Sequence, residues 1–349
     1  MQTMQFQNDA IREEIRQAQD VPWQLEQRQL QNWLDPKPLP DALRYLTAYH
    51  LEKGFLEDDS TDVRYFPCAD RDGSRRVIAF FIPRRAKRVA VGRTGSCVFD
   101  INDLRRNQRG LQHPYRLKLN GRPYIALTNP NSYAPSHTSI ASEDHEPQGW
   151  QEHDPAVRRA KIQRTVEDLH ELSQRLPDWV AGYNAQGAGP TINHHHMHTF
   201  EFPAGLGQLP LQTAAREART TSEAALRLRF GGDGSYPLTV YRVGGSRKAV
   251  IDEVTSLLVE WSNLDPHAST ANLIAVTEES QVCLYVVLRN RFLEFSVGFP
   301  YRLGLMESAG IFIYSQEAEL QELQQGRVSF ERLWNILQAI HPPTARHLG

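Results

Sequence analysis

Apolar residues recur at helical spacing in two stretches near the N-terminus. The first passes through Leu25 and Leu34 before three prolines interrupt it, and the second covers residues 41–54. Because glycine suits the position that follows a helix, Gly54 predicts where the second helix ends. We therefore expect residues 1–60 to form an N-terminal helical arm.

One long amphipathic helix and two groups of short strands are predicted after this arm. The helix should begin at Asp154, a capping residue before Pro155, and continue to about residue 179. Residues 181–189 are predicted as a loop, and residues 191–202 as a loop that becomes a strand. Short β-branched or aromatic runs between turn residues predict further strands at 77–82, 89–91, 115–119, 124–127, 237–241, 272–276, 282–288 and 310–314.

The order of these elements predicts an α+β protein. A helix over residues 249–261 and terminal helices over residues 317–340 accompany the second group of strands, so both halves combine antiparallel strands with packed helices. The chain is long enough for two such units. We predict two tandem halves of similar architecture, residues 61–205 and residues 206–349, the second of which carries the C-terminal helices.

Charge and cysteine content narrow the possible partners and cellular location of the protein. The 349 residues carry 39 Lys and Arg against 41 Asp and Glu, and the net charge of −2 does not favour a nucleic acid as partner. The three cysteines, Cys68, Cys97 and Cys283, are far apart, which indicates a reducing compartment without a disulfide framework. Neither a membrane-spanning apolar run nor a signal-peptide pattern is found. We therefore expect a cytoplasmic protein that binds neither nucleic acid nor a membrane.

Four histidines fall within five consecutive positions: His194, His195, His196 and His198 surround Met197. If this segment is a strand, His194, His196 and His198 share one face, and the other two residues point the opposite way. Three imidazoles on one face can bind a metal ion. They can also catalyse a reaction at a phosphate group, with one imidazole as the nucleophile and the others orienting the phosphate.

The residues just upstream favour phosphate chemistry over metal binding. Gly187, Ala188 and Gly189 can bring backbone N–H groups close to an anion without obstruction by a Cβ atom, which a metal site does not need. Asn184 and Thr191 add short side-chain donors beside the same loop. A metal site and a purely structural histidine cluster are the alternatives.

The segment from Gly187 to His198 resembles the signature of the histidine-triad superfamily, in which a phosphate-binding loop precedes His-x-His-x-His. The run over residues 178–189 is similar to the long branch of that superfamily: galactose-1-phosphate uridylyltransferases, dinucleoside tetraphosphate phosphorylases and, most closely, GDP-hexose phosphorylases. Further similarities lie at residues 126–130, 136–137, 145–148, 236–237, 272–273 and 307–310. The resemblance covers roughly residues 110–315 and implies two tandem histidine-triad-like halves, with the triad in the first.

The resemblance also implies a role for each site residue. His196 matches the nucleophile that attacks the α-phosphorus of a nucleotide, and His194 matches the residue whose backbone carbonyl fixes the tautomer of that nucleophile. Thr191 and Gly189 match positions that approach the phosphates, and Asn184 matches an asparagine that steadies the site. His198 departs from the pattern. The transferases and phosphorylases usually have Gln at this position, whereas hydrolases of the superfamily have His.

We therefore predict a nucleotidyltransferase of the phosphorylase type. It would cleave a nucleoside diphosphate sugar or a dinucleoside polyphosphate at the α-phosphate through nucleotidyl-His196, with His194 and His198 as the other catalytic residues. Its predicted partners are this nucleotide substrate and phosphate, and no cofactor is required. The zinc site of some uridylyltransferases needs paired cysteines near the N-terminus. We expect no structural zinc here, because Cys68 has no second cysteine beside it. The alternatives are a hydrolase of the same substrates, which His198 favours, and a non-catalytic nucleotide- or metal-binding protein.

Overall fold

The computed structural model describes residues 23–56, 63–87, 99, 113–190, 192–219, 226–232, 234–293, 295–296 and 298–343. The predictions that concern residues 1–22, residues 89–91 and Thr191 lie outside the described residues.

The described residues form eight α-helices: α1 (Trp23–Leu34), α2 (Leu39–Glu52), α3 (Pro155–Gln174), α4 (Pro210–Arg219), α5 (Arg247–Leu264), α6 (Leu305–Ser308), α7 (Glu317–Gln324) and α8 (Phe330–Gln338). They form twelve strands: β1 (Arg64–Ala69), β2 (Arg76–Phe81), β3 (Tyr115–Leu119), β4 (Arg122–Thr128), β5 (Thr138–Ser142), β6 (Trp179–Asn184), β7 (His196–Glu201), β8 (Arg227–Phe230), β9 (Val240–Gly244), β10 (Ser269–Glu278), β11 (Gln281–Asn290) and β12 (Ile311–Tyr314). Two short 3₁₀ helices cover Pro83–Lys87 and Ala204–Leu206.

Nine strands form one continuous sheet in the order β3-β4-β5-β7-β6-β10-β11-β9-β8. Every neighbouring pair in this sheet is antiparallel. The five strands of the first half and the four of the second meet where β6 pairs with β10, with Asn184 opposite Asn272. The predicted α+β class with antiparallel sheets is confirmed. The histidine-bearing strand β7 lies inside the sheet, between β5 and β6.

A second, smaller sheet joins the two halves again. It has the order β1-β2-β12, and β12 from the second half pairs in parallel with β2 from the first, with Ile311 opposite Ile78. In both sheets, therefore, a strand from before the predicted boundary at residue 205 pairs with a strand from after it. The domain boundaries themselves stay a prediction.

Both faces of the large sheet are buried. On one face, α3 and α5 pack over a core that includes Tyr183, Met197 and Leu273. On the other face, the smaller sheet and helices of the second half cover a core that includes Phe200 and Ile274. His196 and His198 alternate with Met197 along β7 and therefore belong to this second face. Among the described helices, none has the length and apolar character needed to cross a membrane.

Helix α3 begins as predicted but ends earlier. The Asp154 carboxylate accepts hydrogen bonds from the N–H groups of Ala156 and Val157, which caps the first turn. The helix stops at Gln174, and the prediction that it reaches about residue 179 is wrong. Pro177, which has no N–H group, cannot continue a helix. The predicted loop at residues 181–189 is also partly wrong, because β6 occupies Trp179–Asn184.

Candidate active site

The strand that carries the histidines begins at His196. The rings of His196 and His198 share one face of β7, with their centroids 4.9 Å apart and their planes at 82°. His194 lies before the strand, and its ring packs against that of His145 at 4.9 Å. The expected row of three imidazoles on one strand is therefore only partly formed, because pairing of β7 with β5 starts at His196, opposite Ala141.

A hydrogen bond from the His196 ring determines its tautomer. Nδ1 lies 2.7 Å from the backbone carbonyl oxygen of His194. A carbonyl oxygen can only accept, so Nδ1 carries the proton and Nε2 keeps its lone pair. Among the described residues, no group hydrogen-bonds to this Nε2. His196 therefore has the arrangement of a nucleophile, through the contact that the family resemblance implied.

The buried side chain of Gln148 holds the two strands together beside His196. Its Oε1 accepts from the His196 N–H at 2.7 Å, and its Nε2 donates to the carbonyls of His196 and Asn184 at 3.0 and 2.6 Å. Direct pairing between β6 and β7 ends at Gly182 and His198, so the amide of Gln148 replaces the backbone bonds that are missing at this end. Gln148 thereby fixes the backbone position of His196 relative to Asn184.

The ring of His194 is also fixed by hydrogen bonds. Nε2 donates to the Ser142 carbonyl at 2.7 Å, and Nδ1 lies 3.1 Å from Nδ1 of His145. Two imidazole nitrogens therefore face each other at this point. Within the described part of the chain, no group of three or more His, Cys, Asp or Glu side chains is placed to hold a metal ion.

The imidazoles of His196, His198 and His137 are neutral at pH 7. Burial lowers the pKa of His196 to about 4, although the hydrogen bond to the His194 carbonyl acts in the opposite direction. Burial also lowers the pKa values of His198 and His137 well below the usual value, and the neighbouring histidines and the Arg85 charge add to these shifts. A neutral imidazole keeps the lone pair that nucleophilic attack requires.

Two residues outside the predicted site accompany His198. Nε2 of His137 lies 3.1 Å from Nδ1 of His198, so one of these imidazoles donates to the other. Arg85, in the 3₁₀ helix Pro83–Lys87, lies within electrostatic range of both rings, and its guanidinium lies 5.8 Å from the ring of Tyr133. The third histidine therefore has an imidazole partner and a cation nearby.

The predicted phosphate loop packs tightly against the second half. A Cβ atom on Gly187 would lie 2.2 Å from the Arg291 Cβ, and one on Gly189 would lie 2.4 Å from the Gly304 Cα. Both glycines also have positive φ angles, +83° and +105°. Ala188 is buried and its N–H donates to the Ala185 carbonyl at 2.9 Å, so that N–H is not open to an anion in this arrangement. These glycines thus satisfy a packing requirement whether or not a phosphate approaches them.

Apolar residues line the other side of His196 and form an apolar wall. Ile125 and Ala141 lie in register with His196 across β4 and β5, and Leu127 lies one step along the same face. Phe99 packs on this wall, with its ring centroid 5.0 Å from that of His196. His196 is therefore placed between an apolar wall and a polar loop. This arrangement suits a ligand with a flat apolar group on one side and phosphates on the other.

Comparison with known proteins gives a partial sequence match. No family model matches the chain. Galactose-1-phosphate uridylyltransferase of Staphylococcus carnosus is 27% identical over 155 residues, which is 43% of this chain. The match spans 26% of that relative, so this chain covers about a quarter of its length.

Solved structures match much more of the chain. Yeast Ap4A phosphorylase Apa2 in complex with AMP superposes with a TM-score of 0.60 over 88% of this chain and 97% of that one, at 12% identity. Its complex with Ap4A gives the same TM-score and identity over 87% of this chain. This chain has the Ap4A phosphorylase fold. The match to a galactose-1-phosphate uridylyltransferase agrees with the resemblance found in the sequence, and the matches to solved structures show the fold.

Within this fold, the structure brings most of the predicted residues together. His194 and His196 are linked by one hydrogen bond, and the Asn184 carbonyl shares the Gln148 amide with His196. Sequence reasoning missed the contacts of Gln148, although it noted the segment 145–148. It also missed Arg85, for which the basic run after β2 is the only sequence signal.

Proposed function

We propose that this chain is a nucleotidyltransferase of the phosphorylase type. It cleaves a nucleoside diphosphate sugar or a dinucleoside polyphosphate at the α-phosphate through a covalent nucleotidyl group on His196. The observation that carries this proposal is the 2.7 Å hydrogen bond from His196 Nδ1 to the His194 carbonyl, which leaves the Nε2 lone pair available in a site where the imidazole is neutral.

In the first step, the Nε2 lone pair of His196 attacks the α-phosphorus. An N–P bond forms, and the bond from that phosphorus to the bridging oxygen breaks, so the sugar 1-phosphate or the remaining nucleotide leaves with the electron pair. The proton on Nδ1 stays in place, and the ring acquires positive charge. The His194 carbonyl accepts from Nδ1 and therefore stabilises this charge.

In the second step, an oxygen of inorganic phosphate attacks the same phosphorus. The N–P bond breaks, neutral His196 is restored, and a nucleoside diphosphate is released. His198, with its ring 4.9 Å from that of His196, supplies a hydrogen bond to the reacting phosphate in both steps. Asn184, Gly187, Gly189 and Thr191 are proposed to bind the phosphates. The two steps need no cofactor and no structural zinc.

The comparisons support a nucleotide as the substrate. The yeast phosphorylase with this fold has been solved with AMP and with Ap4A, and the curated relative is a uridylyltransferase. The wall of Ile125, Leu127, Ala141 and Phe99 beside His196 is the surface proposed to contact the base.

A hydrolase of the same substrates is the second candidate. The observation that favours it is His198 itself, because an imidazole at this position, paired with His137, can activate a water molecule. In that case the nucleotide would leave His196 as a monophosphate.

Intact-protein mass spectrometry tests both candidates. The protein is incubated briefly with nucleoside diphosphate sugars and dinucleoside polyphosphates, with and without phosphate, beside His196→Ala. A nucleotide-sized adduct that the variant lacks and that phosphate releases as a nucleoside diphosphate supports the phosphorylase. Release as a monophosphate in water supports the hydrolase. No adduct and no turnover would contradict both and leave a binding protein.

A further inference from the structure

Asn272 lies at the junction of the two halves with every hydrogen-bonding group of its side chain in use. It is fully buried on β10, opposite Asn184 on β6. Nδ2 donates to Asn184 Oδ1 and to the Ala188 carbonyl, each at 2.7 Å. Oδ1 accepts from Arg289 Nη1 at 2.9 Å and from Ser308 Oγ at 2.7 Å. Two donors and two acceptors exhaust the capacity of an amide group.

The orientation of this amide is determined by Arg289. A guanidinium can only donate, so the group that faces it must be the amide oxygen. Arg289 is fully buried, and its Nη1 also donates to the Leu303 carbonyl and to Ser308 Oγ at 2.9 Å, which holds it in place. With Oδ1 turned to Arg289, the Asn272 NH₂ group must face the first half.

The same reasoning extends to Asn184. Because the Asn272 NH₂ group donates, Asn184 must present its oxygen to it, and the Asn184 NH₂ group then faces the other way. Among the described residues, no acceptor is found for this NH₂ group, and it is not sealed from solvent. Asn184 adjoins His196 through Gln148. A pair of amide hydrogens is therefore open beside the nucleophile.

We propose that Asn272, held by Arg289, is a positioning residue that turns Asn184 so that it presents amide hydrogens, and not its oxygen, to the phosphates of the substrate. This proposal rests on the proposed function for the identity of the ligand. It gives the second half of the chain a role in the site: a chain of hydrogen bonds that starts at a cation and ends at an anion-binding amide.

The variant Asn272→Asp isolates this role. Aspartate has the same shape and keeps the bonds to Arg289 and Ser308, with a carboxylate as a better partner for the guanidinium. It has no N–H groups, so Asn184 must reverse its amide to donate to it, and the Asn184 oxygen then faces the phosphates. Because the Ala188 carbonyl loses its donor, we expect a moderate loss of thermal stability together with weaker anion binding.

Binding of inorganic pyrophosphate, measured by isothermal titration calorimetry, is the readout, because it depends on neither the base nor turnover. We expect Asn272→Asp and Asn184→Ala each to raise the Kd about tenfold or more. The double variant should bind no more weakly than the weaker single variant, since both act on one group. Asn335→Asp, which makes the same change on the exposed side of α8, should bind as wild type does.

Three results would overturn the proposal: wild-type affinity in Asn272→Asp, additive losses in the double variant, or no pyrophosphate binding by the wild-type protein. The nucleotidyl adduct assay on the same preparations separates this test from the proposed function. If the expected binding pattern appears but no adduct forms on His196, the positioning role stands and the phosphorylase fails. If the adduct forms and the binding pattern is absent, the positioning role fails alone.

Discussion

Gly189 of the first half lies so close to Gly304 of the second that a Cβ atom on Gly189 would lie 2.4 Å from the Gly304 Cα. The neighbour is backbone and cannot rotate away, and the φ angle of +105° disfavours any other residue. We expect Gly189→Ala to lower the free energy of unfolding by about 1–3 kcal/mol and to slow formation of the nucleotidyl adduct. Chemical denaturation and intact mass spectrometry measure the two effects.

Gly205→Ala is the matched control for this substitution. A Cβ atom on Gly205 would meet nothing within 4 Å, so this variant should keep wild-type stability and adduct formation. Equal behaviour of the two alanine variants would contradict the close contact between Gly189 and Gly304.

The pH at which adduct formation is lost on acidification should lie well below the usual pKa of histidine. The pKa of His196 is lowered to about 4, so the neutral nucleophile persists as the pH falls below 6.5 and is lost only near pH 4. Single-turnover rates should therefore be level from pH 8 to about 5.5. A midpoint near pH 6.5 would show that the His196 ring is not desolvated as described.

Protein stability should decline over the pH range between the unfolded-state and folded-state pKa values of the buried histidines. Burial lowers the folded-state pKa of His50 and His195 to about 3 and that of His170 and His196 to about 4, whereas all four titrate normally when unfolded. The unfolded chain then binds more protons below pH 6.5, so stability is complete above that pH and declines as the pH falls toward 4. Each such histidine contributes a slope of about 1.4 kcal/mol per pH unit. Thermal melts from pH 7.5 to 5 that show no decline would contradict this burial.

His198 should tolerate glutamine better than an apolar residue. Glutamine carries an NH₂ group that can donate a hydrogen bond to phosphate as a neutral imidazole does, so His198→Gln should keep adduct formation within about tenfold of wild type. His198→Leu removes the donor and should slow it by about 10²–10⁴-fold.

The products of the His198 variants carry further information. If the imidazole of His198 activates water, His198→Gln should raise the ratio of nucleoside diphosphate to monophosphate released in the presence of phosphate. An unchanged ratio would show that His198 does not select the acceptor.

Gln148→Leu should affect both stability and chemistry. It removes the three hydrogen bonds that hold His196 and Asn184 and leaves buried backbone groups without partners. We expect a loss of about 3 kcal/mol or more in the free energy of unfolding and a large drop in adduct formation. Gln321→Leu, at an exposed position of α7, is the control and should change neither. Unaltered adduct formation in Gln148→Leu would mean that the amide does not position the nucleophile.

Local chemistry in the sequence predicted the elements whose causes are local. The start of α3 follows from Asp154 and Pro155, and a short run of β-branched or aromatic residues between turn residues predicted β3. The end of α3 was missed because β6 is buried on both faces and lacks the alternation of a half-exposed strand.

The site could be predicted only where its residues are close in sequence. His194 and His196 are two positions apart, and their hydrogen bond matched the implied one. Asn272 and Asn184 are 88 positions apart, and only the pairing of β6 with β10 brings their side chains together. Arg85 and Gln148 depend on similar long-range contacts, for which a single sequence carries no pairing signal.

The ladder between β6 and β10 makes the histidine-bearing half a poor candidate for transplantation. Separating the first half from the second would expose the hydrogen-bonding edge of β6. An unpaired strand edge of this kind promotes self-association. The cut would also leave the Asn184 side chain free to flip and the glycines of its loop without the surface that shapes them. Grafting experiments on this scaffold should therefore move strands β3 to β11 as one piece.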